Sequence, residues 1–181
     1  MTALHWSEHL LALGACLEAV AWARAQPDLP TAWQRCENGA WMLWLAGKSA
    51  GEPWSDARRP LVLAVCGCVR LGLPEWRRHF PDDDRPLQLL ETAESWARGT
   101  GATPEHVRAA ASAAAASAAD AYAADASAAA YAADAYAAYD AAAAAAAAAG
   151  RANAVHRATL RQCADIVRTH YPEPPPLEVI P

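Results

Sequence analysis

Few residues in this chain have the types and spacing that chemistry requires. His5 and His9 stand four apart, the helical spacing at which two imidazoles can share an ion. No third ligand accompanies them, so no metal is expected. Glu91 and Glu94 stand three apart, on one helix face, where paired carboxylates could divide acid and base work. A solvated helix face is the simpler reading of that pair. Cys66 and Cys68 are two apart, which on a helix sends them to different faces and prevents chelation of one ion. The segment AGKSAG, from Ala46 to Gly51, invites comparison with a phosphate loop. That loop needs a Gly five positions before Gly47, where this chain has Met42, and no strand precedes it. There is no G-x-S-x-G, no Gly-rich cofactor loop and no recognisable Ser-His-Asp arrangement. The expectation is a non-enzymatic protein with no cofactor.

Binding is the remaining chemistry. The stretch from Trp76 to Arg85 places an aromatic candidate, Trp76, beside a basic pair, Arg77 and Arg78. The acidic triplet Asp82, Asp83 and Asp84 follows, and then Arg85. Aromatic and Arg side chains are common interface anchors, and clustered charge steers a partner. Trp76, Arg77, Arg78, Asp82, Asp83 and Arg85 are therefore expected to form a partner-binding loop, with Asp82 and Asp83 exposed. The competing reading is structural. In it Asp84 caps the next helix, Arg85 pairs with a nearby carboxylate and Trp76 joins the core.

The elements that must position these residues are helical. β-Branched residues are sparse and no alternating strand is evident. A first helix is expected from about Thr2 to Arg24, with Trp6, Leu10, Leu13, Leu17 and Val20 on one stripe. A second should run from Thr31, a plausible N-cap, to Ala46, with Gly47 as its stop. A third, from Asp56 to Leu73, is apolar nearly all round and should be central. Pro74 then opens a loop. A fourth helix should run from Asp84 to Arg98, closed by Gly99 and Gly101. Thr103 caps the next, with Pro104 at its first position. The last should run from Arg151 to His170, with His156, Leu160, Cys163, Val167 and His170 on one stripe.

Between Ala109 and Ala149 the chain is Ala-rich, broken only by scattered Ser, Asp and Tyr, without Gly or Pro. Such a run is helical by propensity. Unbroken from Thr103 to Gly150, it would be roughly 70 Å long, too long for a domain of this size. A break is expected between Asp120 and Ser127. Methyl-faced helices bury area only by close approach, and any uncovered part would favour a homodimer. The expectation is one all-α domain over residues 1–170, with Ala-rich close-packed C-terminal helices and a Pro-rich extended tail over 171–181.

Composition narrows the partners. The 181 residues are 54% apolar, with eight Trp concentrated before residue 100 and a formal net charge of -5. That charge argues against nucleic acid. The five Cys, an odd number in mostly apolar surroundings, do not read as a disulfide scaffold. No signal peptide and no confident membrane span is apparent, so a cytoplasmic location with no membrane contact is expected.

The stretch DDDRPLQLLETAESWARG, from Asp82 to Gly99, followed by TPEHVRAAASAAAA and an Ala-rich region, resembles the Imm5-like family of bacterial immunity proteins. The residues that carry the likeness are Asp84, Arg85, Pro86, Glu91, Ala93 and Trp96, and the apolar segment from Arg58 to Pro74 is also similar. The resemblance implies an immunity protein that binds and neutralises a cognate bacterial toxin. The alternative is a structural protein that self-assembles through its Ala-rich helices.

Overall fold

The computed structural model describes residues 5–120 and 153–177, without the side chains of residues 79, 116–120 and 153–155. Among them the chain forms nine α-helices and no strand. These are α1 (Ser7–Ala12), α2 (Leu17–Arg24), α3 (Leu29–Arg35), α4 (Gly39–Ser49), α5 (Arg59–Arg70), α6 (Leu73–His79), α7 (Arg85–Arg98), α8 (Pro104–Asp120) and α9 (Asn153–His170). A 3-10 turn, Asp56–Arg58, leads into α5. The expected break between Asp120 and Ser127 and most of the Ala-rich run lie outside the described residues.

The helices pack into one domain, and α5 is its centre, as its all-round apolar sequence requires. Leu61, Ala64, Val65 and Cys68 face a cluster built with α4 and α9, while Val62 and Cys66 face a second built with α7 and α8. Val65 is completely buried. Cys66 and Cys68 thus sit on different faces, each in a different cluster. Glycine sets one of the packing distances. A Cβ on Gly39 would lie 2.6 Å from the Ala164 backbone nitrogen, so only Gly lets α4 begin directly against α9.

Several helices are shorter than their apolar patterns. The expected Thr2–Arg24 helix is two, separated at Gly14, whose φ of 86° is left-handed. The turn changes the phase of the stripe, so Leu10 and Val20 stay buried while Leu17 is 77% exposed. The expected Thr31–Ala46 helix is also two. Asn38 interrupts it, because its Oδ1 accepts the Ala40 and Trp41 N–H groups at 3.1 and 3.3 Å and starts a new helix. Thr31 is not a cap: its N–H donates to Asp28 Oδ1 at 2.7 Å. Gly47 lies buried inside α4 rather than ending it.

The largest departure follows Leu71. Pro74 does not open a loop, because it occupies the second position of α6, where a missing N–H costs little. At the next junction, Asp84 occupies the cap position without capping, and Asp83 Oδ1 instead accepts the Arg85 N–H at 3.1 Å. Gly99, with φ 69°, ends α7 as its sequence signals. Thr103 and His106 form a reciprocal cap on α8: Thr103 Oγ1 accepts the His106 N–H, and His106 Nδ1 accepts the Thr103 N–H. The tail is strapped down where it leaves α9. Trp33 Nε1 donates to Tyr171 O at 2.8 Å, Gln34 Nε2 donates to Pro172 O at 2.8 Å, and Pro175 is buried.

Candidate functional site

The six residues singled out from the sequence converge at the corner where α6 turns into α7. They divide into a scaffold and a charged rim. Trp76 is half-buried, its ring 4.5 Å from that of Phe80, and its Nε1 donates to Asp83 O at 3.4 Å. Asp83 accepts from Arg85 Nε at 2.9 Å and Nη2 at 3.0 Å. Its side chain is only 16% exposed, so the expectation that Asp83 is a free surface carboxylate is corrected. The cause is local. A carboxylate two residues before a helix-initiating Arg reaches both that residue's N–H and its guanidinium. Trp76, Asp83 and Arg85 therefore hold the corner's shape.

The rim consists of Arg77, Arg78, Asp82 and Asp84. Arg78 donates to Glu75 at 2.6 Å on the outer face of α6. Arg77 is 3.8 Å from Asp84, with both side chains more than half exposed. Asp82 is exposed at the tip. Exposed pairs of this kind are worth little to stability, so the rim's charges are available to a partner at small cost.

The second carboxylate candidate behaves differently. Glu91 is exposed, but Glu94 is buried rather than solvated. It accepts from Arg70 Nε at 2.7 Å and Arg98 Nη1 at 2.9 Å, tying α5 to α7. Burial opposes its charge, but the two guanidinium groups prevail and hold its carboxyl below the ordinary Glu value. A carboxylate so held does not serve as a general acid near neutral pH. Two of the thiols are similarly restrained. Burial, then the nearby Glu94 charge, pushes Cys66 up to about 12, and burial raises Cys36. Neither is a nucleophile at neutral pH. His5 and His9 each turn Nδ1 to a local partner, Ser7 Oγ at 2.8 Å and Trp6 O at 3.3 Å. Among the described residues no three His, Cys, Asp or Glu side chains group as a metal site, and no helix is long and apolar enough to cross a membrane.

Two depressions are lined by residues outside the corner. One is an apolar slot of about 50 Å³ between α1, α2, α3 and α4, lined by Trp6, Leu10, Trp22, Trp33, Trp41 and Trp44 among others. Leu11 and Leu17, 42% and 77% exposed, belong to the same helical hairpin. The other is an open polar groove of about 680 Å³ along α7 and the start of α8, with Gln88, Glu91, Thr92, Ser95, Thr100 and His106 on its walls. Most of its hydroxyls are already engaged: Thr92 donates to Gln88 O, and Thr100 donates to Ser95.

Sequence reasoning missed an aromatic and cationic stack. Trp54 and Trp96 meet edge to face at 5.1 Å, with Arg59 over Trp96 and Arg108 over Trp54. It joins α5, α7 and α8, and it explains Trp96 within the motif as a packing residue. No spacing rule links residues 54, 59, 96 and 108. No family model matches the sequence, and no curated protein or solved structure matches it significantly.

Proposed function

We propose that this chain is a non-enzymatic, cytoplasmic binding protein that neutralises a cognate bacterial toxin through the α6–α7 corner. One observation carries the reading: a rim of exposed charge, Arg77, Arg78, Asp82 and Asp84, is mounted on a turn already fixed by Trp76, Phe80, Asp83 and Arg85. A pre-ordered surface loses little entropy on binding, so its contacts count nearly in full. The likeness of the Asp82–Gly99 stretch to immunity proteins supports the same reading, and the net charge of -5 suits a basic partner. The test is protection of cells that express a toxin encoded beside this gene. The chain restores growth, and Arg78→Glu with Asp82→Lys lowers protection at least about tenfold while the melting temperature is unchanged. Full protection by the double variant defeats the assignment of the corner.

A second reading, self-association, is favoured by Leu17, an apolar side chain 77% exposed beside the Trp-lined slot. It calls for a homodimer that Leu17→Asp dissolves, measured by light scattering. A wild-type monomer at high micromolar concentration removes it.

A further inference from the structure

The contact between α5 and α9 brings together two cysteines that stand 95 residues apart. On α5, Leu61, Ala64, Val65 and Cys68 follow the helical spacing of three and four that turns one stripe toward α4 and α9. On α9, Cys163, Ala164 and Val167 form the answering stripe, and all three are completely buried. The two helices approach closely there. A Cβ on Gly67, next to Cys68, would lie 2.8 Å from Ile166 Cγ2, so the absent side chain leaves room for α9. Cys68 Sγ donates to Cys163 O at 3.9 Å, and the two thiols also hydrogen-bond each other.

The pair divides its roles. The hydrogen bond from Cys68 favours negative charge on the Cys163 sulfur and holds that thiol below its ordinary value, against the opposing cost of burial. The same bond, and then burial, pushes Cys68 up. Cys163 is therefore the thiolate of the pair, and Cys68 keeps the proton. A lone oxidised thiol stops at a sulfenic acid or goes on to higher oxides. A thiolate with a second thiol in contact ends as a disulfide instead. A cytoplasmic chain holds such a pair reduced at rest, so the bond would form only under oxidation.

We propose that Cys68 and Cys163 form a reversible disulfide that staples α9 to α5 when the chain meets a peroxide. The Cys163 thiolate attacks one oxygen of hydrogen peroxide, the O–O bond breaks, and the departing hydroxide takes a solvent proton to become water. Cys163 is then a sulfenic acid. The Cys68 sulfur attacks the Cys163 sulfur, the S–O bond breaks, and the Cys68 proton leaves with the hydroxide as a second water. The two sulfurs lose two electrons and the peroxide gains them. Both sulfurs are buried in the closed fold, so oxidation runs through openings of α9 from α5, and closure then shields the bond from reductants. The bond closes α6, α7, α8 and the Ala-rich run into one loop.

Hydrogen peroxide treatment of the folded, full-length chain tests this. Peptide mapping without reductant locates the bond, and thermal melting reads its effect. Cys16→Ser is included, because the exposed Cys16 could link one chain to another. The expected result is a single link, Cys68 to Cys163, with a melting temperature about 10 °C higher that returns to its starting value in dithiothreitol. Cys68→Ala forms no link and shows no gain. If that variant does not fold, the map of the Cys16→Ser chain decides alone. Cys68 and Cys163 left unlinked, at a peroxide dose that fully oxidises Cys16 in the wild type, overturn the proposal. So does a link through Cys36 or Cys66 in their place, or an equal gain in a folded Cys68→Ala.

Discussion

The two ends of α5 treat charge in opposite ways. Beyond its C-terminus, at the α6–α7 corner, arginines and carboxylates meet in water, and the one withdrawn carboxylate, Asp83, is fully engaged by Arg85. At its N-terminus, Arg58 is withdrawn from water and donates from Nη1 to the Gly51 carbonyl. The difference is one of dielectric. A solvated pair costs little to form or to exchange, so it suits a macromolecular partner that brings its own charges. A buried guanidinium carries a desolvation cost that its bond to the Gly51 carbonyl offsets only in part. The first end leaves its charges in water, and the second commits its guanidinium to a carbonyl inside the fold.

The largest effect should come from breaking the helix that carries both ends. Val65→Asp puts an unpaired carboxylate where exposure is 0%. Its cost, several kcal/mol, is about the whole stability of a small domain, so loss of the cooperative melt is expected. A soluble, cooperatively melting variant would mean that α5 is not the centre.

Glu94→Ala comes next, and it isolates the charge cluster that joins α5 to α7. The variant leaves Arg70 and Arg98 without their shared carboxylate. Those arginines are 37% and 56% exposed, so water screens part of the loss, and about 1–3 kcal/mol in chemical denaturation is expected. The same group gives a pH dependence of known sign. Its carboxyl is held below the ordinary Glu value of 4.5 in the folded state. The stabilisation is therefore complete above that value and is lost as pH falls through the lower folded value. Glu94→Gln should flatten the stability curve in that acid range and leave it unchanged in shape near neutrality.

Asn38→Ala is smaller, about 1 kcal/mol, through loss of the two N–H bonds that start α4. Smallest of all should be Asp82→Lys, which moves the melting temperature by less than about 2 °C. A large fall there would mean that the rim holds the fold together and is not free for a partner.

The sequence made some of this legible and hid the rest for identifiable reasons. The all-α class, the central place of α5 and the start of α8 follow from periodicity, all-round apolarity and cap chemistry, which are local signals. The breaks at Gly14 and Asn38 were also local, but the apolar spacing runs straight across them and outweighed a single Gly or Asn. α6 was hidden because Pro74 reads as a terminator, although at the second position of a helix it is a starter. The rim residues were visible as a charge cluster. Arg58 was not, because it stands two residues before a Pro in a polar turn and looks solvated. Its guanidinium instead turns back to the Gly51 carbonyl, a tertiary contact that no periodicity encodes.

The central claim is that the rim of the α6–α7 corner, and not the Trp-lined face, meets the partner. Calorimetric titration of the cognate toxin into wild type, Arg78→Glu/Asp82→Lys and Leu17→Asp tests it most directly. The account predicts at least about a tenfold loss of affinity in the charge-reversed variant and wild-type affinity in Leu17→Asp, with all three equally folded. Wild-type affinity in the charge-reversed variant, or a loss confined to Leu17→Asp, would contradict it.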